Sequence, residues 1–417
     1  MISTQYIADF EDITSENPIE EVWKLLRFFC DNEYSLGKVC QIHNITNKDK
    51  QFNNAKKQAI QIGYCIRQAE EYFQASSKVG LTTRPNLLYY GASSLSRALI
   101  LLKNNGDYSI DALRTNNKHN HHGLEIDKSF KSGNPSTKTD VKDFFSSLKC
   151  SCYTKVDNNI ETPWGNFPLF YESLIPGGYL IEIKIYEGNQ NSSYLKNYTC
   201  QPSPDIQPIN EIINKKFNVL ELIKTLPDMY FILEKLGIET NLCRGNIEII
   251  ETRHYKTDGT GQQHIDTIQQ IHNFGINAKS YPRKSELLNR YITNSKNPLM
   301  LIVSETDTLA HTQLITQFDP KSEIQKIEYY PEIVDDINGI NFFIVDLGSY
   351  LPEIIAQFIL LFCFGMICRY APDIWIKTID ENVIAAELID SILGKIYRKF
   401  PNLILDQMTQ SKHYIHL

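Results

Sequence analysis

From Ile354 to Cys368 the chain is apolar on every side, with Gln357 the one polar interruption and Arg369 closing the run. A helix of this sequence has no face to turn to water. It falls short of the roughly 20 residues that a bilayer crossing needs. We read it as a core helix that other parts of the chain must enclose. The run Leu87–Leu102 offers a complementary surface: it is apolar, with small residues Gly91, Ala92, Ser93 and Ser94 where another helix can approach closely. The fold is therefore expected to bring the C-terminal helices back onto an N-terminal bundle.

The first third reads as helical. Asn17-Pro18 sets a capping side chain before a helix-compatible proline, and Val22, Trp23, Leu25, Leu26, Phe28 and Phe29 give a broad apolar face. A second helix is predicted from Phe52 to Ser76, carried by Ala55, Ala59, Ile62, Ile66, Ala69, Tyr72 and Phe73. A third covers Tyr89–Leu102, stopped by Asn104-Asn105-Gly106. A short one covers Val141–Leu148, and Lys128–Asp140 reads as a loop.

The middle third changes period. Tyr179–Tyr186 alternates apolar and polar residues as a half-exposed strand does, and Asn246–Tyr255 reads similarly. Leu299–Ser304 and Phe342–Asp346 are short apolar runs suited to buried strands. Ile209–Lys224 looks helical, and Gln201-Pro202-Ser203-Pro204 with Pro208 reads as a linker or exposed loop. Helix returns over Ile354–Tyr370, stopped by Ala371-Pro372-Asp373, and over Asp380–Phe400. The expected class is α+β, divided into a helical bundle over 1–150, a mixed-sheet module over 151–350 and a C-terminal helical segment over 351–417.

Composition excludes several classes. Of 417 residues, 42% are hydrophobic and 22% charged, enough for a packed core and not the balance of a disordered chain. The net charge of −7 argues against a whole-protein field that gathers nucleic acid and leaves only a local patch for that task. Met1-Ile2-Ser3-Thr4-Gln5 has neither the basic head nor the apolar run of an export signal. The nine cysteines are scattered, with only Cys150 and Cys152 close together. We read them as reduced, mostly buried thiols of a cytoplasmic protein, with no metal set and no disulfide framework.

One segment gathers groups able to move protons near neutral pH: Arg114-Thr115-Asn116-Asn117-Lys118-His119-Asn120-His121-His122-Gly123. From Arg114 to Lys142 there are six Lys or Arg against three Asp or Glu, a positive excess in an acidic chain. An architectural reading lets the histidines bond to backbone groups while Gly123 supplies a permissive φ. A metal reading would take His119, His121 and His122 with Glu125 or Asp127, at crowded spacing. Asp258-Gly259-Thr260-Gly261 lacks the lysine of a phosphate loop and reads as a hairpin turn. Tyr89-Tyr90 reads as core packing and Arg84 and Arg97 as structural ion pairs. Arg369-Tyr370 reads as a helix end whose cation bonds the last carbonyls or stacks on Trp375.

Two segments together resemble the YaaC-like family, bacterial proteins without an assigned activity. One is Arg84-Pro85 with Leu88-Tyr89-Tyr90-Gly91, Leu95, Arg97-Ala98-Leu99-Ile100-Leu101 and His122-Gly123-Leu124. The other is Leu360-Leu361-Phe362 through Cys368-Arg369-Tyr370-Ala371-Pro372-Asp373-Ile374-Trp375. They lie near opposite ends, so the resemblance spans most of the chain. The N-terminal segment also resembles HEPN domains, small helical bundles. Some of these are metal-independent ribonucleases with an arginine and, after a short spacer, a histidine. That resemblance implies a catalytic pair of Arg114 and His119, an active site shared by a homodimer, and no cofactor. The surrounding Asn116, Asn117 and Asn120 depart from the family's placement of the motif at a helix start, because asparagine favours turns.

In that chemistry His119 moves the proton, Arg114 clamps the phosphate, and Lys118, His121 and His122 help to bind the substrate. Two classes stay open. The first is a toxin-like or defence-like ribonuclease acting on RNA. The second is a non-catalytic interaction protein whose bundle serves homo-oligomerisation and whose middle module binds a partner. Neither calls for a membrane or a metal.

Overall fold

Helix α1 (Pro18–Arg27) starts where the Asn17 side chain accepts from the Glu20 backbone N–H at 3.2 Å, the cap that Asn17-Pro18 predicts. It is followed by α2 (Asn32–His43), α3 (Phe52–Ser76), α4 (Arg84–Lys103), α5 (Ile110–Thr115), α6 (Val141–Ser147) and α7 (Asn166–Glu172). Then come α8 (Ile209–Ile212), α9 (Val219–Lys224), α10 (Tyr230–Lys235), α11 (Glu353–Tyr370), α12 (Pro372–Glu381) and α13 (Val383–Thr409). The computed structural model describes residues 6–7, 9–103, 108–116, 119–127, 141–157, 160–187, 194–277, 301–305, 309–318, 333–346, 348 and 350–416. The loop expected over Lys128–Asp140 and the stop expected at Asn104-Asn105-Gly106 lie outside them.

The protein is α+β, and its C-terminal helices α11 and α13 pack on α4. Two expectations need correction. The helix predicted over Ile209–Lys224 is interrupted by a strand, Lys216–Asn218, whose Phe217 pairs with Cys150. Asn218 then turns its side chain onto the N–H groups of Leu220 and Glu221, which starts α9 afresh. The helix predicted to end at Phe400 runs on through Pro401 to Thr409. Ala371-Pro372 does stop α11, and the same proline opens α12.

The chain forms two compact units. One comprises Met1–Glu11, Pro176–Asp205 and Thr240–Tyr350; the other comprises Asp12–Ile175, Ile206–Glu239 and Leu351–Leu417. The divisions expected at 150 and 350 follow composition along the chain, whereas these units interleave. The chain leaves the second unit at Ile175 and comes back to it twice. The proline-rich Gln201–Pro204 stretch ends beside one of these crossings, at Asp205.

The first unit is a mixed sheet. Gly178–Glu187 pairs antiparallel with Tyr194–Pro202 and parallel with Leu242–Thr257. Leu242–Thr257 and Gln263–Asn277 make a long hairpin, bulged between Ile265 and Thr267. Leu309–Phe318, Leu301–Glu305, Asn341–Ile344 and Ile333–Asp335 complete the sheet. The predicted alternation is present: Tyr179, Ile181 and Ile185 are buried, while Glu182 and Lys184 between them form ion pairs with Lys196 and Glu248. Asp258-Gly259-Thr260-Gly261 is the expected turn, with Gly261 at φ +88°.

All thirteen helices named above belong to the second unit. Its axis is α11, buried at every position from Ile354 to Gly365 by α4, α9, α12 and α13. By length and composition α11 could cross a membrane, but 78% of that stretch is buried inside the protein. Each fully enclosed Leu, Ile or Phe contributes about 1.5–3 kcal/mol. Helices α3 and α4 approach closely at Gly91, where a Cβ would lie 2.6 Å from the Phe73 ring. Arg84 reaches Asp390 at 2.7 Å, the ion pair predicted for it.

A buried charge cluster ties α11 to α13. The Lys399 ammonium lies 2.6 Å from Asp228 and 2.8 Å from Glu353, and these side chains are 8%, 4% and 13% exposed. Burial pushes the Glu353 carboxyl up to about 7 in spite of Lys399, and the Asp228 charge pushes the same way. Lys412 also acts to lower it. A carboxyl raised in the fold holds a proton that the unfolded chain has lost. Its contribution to stability is therefore complete below its ordinary 4.5 and is lost as pH rises through about 7. Glu353→Gln should flatten that decline, measured as urea midpoints at about pH 5 and about pH 7.5. Lys399→Met, which strands the carboxylates, should cost about 3–5 kcal/mol at neutral pH in the same assay.

Candidate functional site

Tyr90, Ser93 and Arg97 are spaced by three and four residues along α4 and share one face of it. Tyr90 and Arg97 are half-buried. Arg369, exposed in the last turn of α11, donates from Nη1 to the Tyr90 hydroxyl at 2.6 Å, with its guanidinium 5.0 Å above the Tyr370 ring. The expected stacking on Trp375 is not what occurs: the Trp375 indole N–H donates to the Leu81 carbonyl at 2.9 Å. Arg97 also departs from expectation. Among the described residues no carboxylate pairs with Arg97; its charge acts instead on Cys65, Tyr89 and His122.

The His121-His122-Gly123 loop is fastened to the start of α7. The Asn166 N–H donates to the His121 carbonyl at 3.0 Å, the Phe167 N–H to the His122 carbonyl at 3.1 Å, and the Tyr153 N–H to the Gly123 carbonyl at 3.0 Å. Two glycines make this contact possible. Gly123 has φ +88° and Gly165 has φ +101°. A Cβ on Gly123 would lie 2.7 Å from the Phe167 nitrogen, and one on Gly165 2.4 Å from the Gly123 nitrogen. The permissive φ expected of Gly123 is thus used.

So held, the His122 ring leans on Tyr89 and Phe362, with centroids 5.6 and 6.2 Å away and its outer edge open to solvent. Its Nδ1 lies 2.9 Å from the Tyr89 hydroxyl. Burial raises the Tyr89 phenol far above its ordinary range, so the hydroxyl keeps its proton. In the tautomer where that hydroxyl donates to Nδ1, the ring N–H sits at Nε2. Burial holds His122 below the usual histidine range, and the charges of His121, Arg369 and Arg97 push it the same way. No carboxylate figures among those influences. The Arg97 and Arg369 charges, the His122 ring and the Tyr90 hydroxyl are therefore near neighbours, with Glu125 acting on the adjacent His121.

Beyond His122 the surface turns aromatic. His121 stacks on Tyr153 with centroids 4.0 Å apart and planes 17° from parallel, and lies 6.4 Å from His122. Tyr153 precedes Thr154–Asp157 and Trp164 follows Ile160–Pro163, two strands paired as a hairpin. Their register makes Tyr153 and Trp164 the next cross-strand pair, joined by a bond from the Trp164 N–H to the Tyr153 carbonyl at 2.9 Å. The Lys155 ammonium lies 4.0 Å over the Trp164 ring. His121 is held below the usual range by burial, Glu125 acting against this and Lys155 with it.

Arg114 is exposed in the last turn of α5, and His119 is buried at 8% exposure. Lys118 lies outside the described residues. Among the described residues no three His, Cys, Asp or Glu side chains gather as a metal set would. Sequence reasoning missed Arg97, Arg369, Tyr153 and Trp164 as functional candidates. The available signal was that Arg97 is the one cation inside the Leu87–Leu102 run and Arg369 the cation that closes Ile354–Cys368.

Fold and site together define an α+β protein whose helical unit displays a cationic surface beside an aromatic hairpin. The chain belongs to the YaaC-like family, whose profile, described as YaaC-like Protein, matches residues 28–408. No curated protein and no solved structure matches it.

The glycine contact is testable. Gly123→Ala should cost about 3 kcal/mol by urea unfolding, since it adds both strain and a collision. Gly237→Ala, at φ +64° with open space around it, should cost about 1 kcal/mol in the same assay.

Proposed function

We propose that this YaaC-like protein binds a phosphate-bearing ligand through its helical unit, with Arg97 and Arg369 neutralising the phosphate and the His122 Nε2–H donating to it. One observation carries this reading: Arg97 is a half-buried cation with no carboxylate partner among the described residues. Charge removed from water is costly until an opposite charge meets it. A planar guanidinium fork suits phosphate oxygens in particular. RNA, the partner expected from the sequence, is a ligand of this kind.

A non-catalytic binding role fits this geometry best. The HEPN-like ribonuclease reading, with its homodimer and its toxin or defence setting in the cytoplasm, asks Arg114 and His119 to meet one phosphate. Its support is the sequence resemblance; the burial of His119 beside an exposed Arg114 weighs toward the binding role.

Fluorescence anisotropy with a labelled RNA oligonucleotide tests the proposal. Arg97→Gln and Arg369→Gln should each weaken binding about tenfold, and wild-type affinity should fall steeply with added salt. Arg114→Gln should bind as wild type does. Unchanged affinity in both Arg97→Gln and Arg369→Gln would overturn the site. RNA incubated without divalent metal, with wild type and with His119→Ala, addresses the ribonuclease reading: equal behaviour of the two removes it.

A further inference from the structure

The cationic surface ends at His122, but a half-exposed aromatic face continues past it. Tyr153 and Trp164 stand together at the base of the Thr154–Asp157 and Ile160–Pro163 hairpin, and neither belongs to the hydrophobic core of the helical unit. A tryptophan and a tyrosine stand half-exposed on a small hairpin, and a half-exposed histidine stacked at 4.0 Å on the tyrosine starts a column of rings that a further flat ring can extend. Lys155 adds a cation to the same face. The face begins 6.4 Å from His122, a gap that a single ribose spans.

We propose that Tyr153, Trp164 and His121 form a subsite for an unpaired nucleobase whose own phosphate occupies the Arg97–Arg369–His122 surface. This rests on the phosphate-binding reading above. Every base has a π face, so stacking here tolerates sequence. A base inside an A-form duplex has both faces covered by its neighbours, so the subsite selects unpaired nucleotides. Free nucleotides and single strands share this chemistry, and the probes below separate them.

Calorimetric titration of the full chain with 5′-AMP and with ribose 5-phosphate compares ligands that differ by the base alone. Wild type should bind 5′-AMP about tenfold more tightly. Tyr153→Leu and Trp164→Leu should erase that gap while leaving ribose 5-phosphate affinity in place, and Tyr153→Phe should keep it. Arg97→Gln should weaken both ligands together, so loss of the phosphate site and loss of the base subsite read differently. Single-stranded RNA should outbind the same sequence in duplex form. If the single strand binds no more tightly than 5′-AMP, the natural ligand is the free nucleotide; if it binds more tightly, the ligand is a strand, and either result supports the subsite. Equal affinity of wild type for 5′-AMP and ribose 5-phosphate would overturn the base subsite alone. Absence of binding by either would overturn both proposals.

Discussion

The enclosure of α11 is the constraint on which the helical unit depends. A helix apolar all round must be surrounded, and here one of its neighbours is α4, brought from the other end of the chain. The seam between them is aromatic: Tyr89 lies 5.7 Å from both Phe358 and Phe362. At Gly365 a Cβ would sit in ordinary contact with Asn86 and Tyr89, at 3.4 and 3.5 Å. The same packing that hides α11 therefore sets its last turn, with Arg369, against the Tyr90 face of α4. Core burial and the proposed ligand surface are two consequences of one helix contact.

The unit treats its charges in two contrasting ways. Lys399 is buried with two carboxylates, and the surplus negative charge is relieved because Glu353 holds its proton up to about 7. Arg84 is likewise matched by Asp390. These pairs fasten helices and leave nothing for a ligand to neutralise. Arg97 and Arg369 are instead accompanied by tyrosines and histidines, groups that donate or share hydrogen bonds without cancelling positive charge. Surface potential of this kind in an acidic chain persists only where carboxylates are kept away from it.

Periodicity and capping made the helices legible. Asn17-Pro18, the 52–76 run and the apolar Ile354–Cys368 stretch all lie where local chemistry decides the outcome. The strand at Lys216–Asn218 was not legible, because Phe217 pairs with Cys150, a partner distant in sequence. The interleaving of the two units was hidden for the same reason: composition is read along the chain, whereas units are defined by contacts across it. For the proposed site, the density of histidines marked the loop, with His121 and His122 expected to bind substrate and His119 to move the proton. His119 and His122 are indistinguishable as letters, and what separates them is burial of the first and the Tyr89 hydroxyl beside the second. The arginines of the proposed site arrive from α4 and α11, which no local window joins.

Why the histidines come as an adjacent pair follows from the loop's geometry. Consecutive side chains of a non-helical segment diverge. His122 turns to Tyr89 and the helix-borne arginines, while His121 turns to Tyr153 and the hairpin. A single dipeptide thus joins a surface suited to phosphate with one suited to a flat ring. Its position is set by main-chain bonds to α7, by two glycines pressed against each other, and by the Gly123 N–H donating to the His121 Nδ1 at 3.3 Å. With one edge or face of each imidazole engaged, the other is left to present outward, and the spacing between the two surfaces is set by one peptide unit.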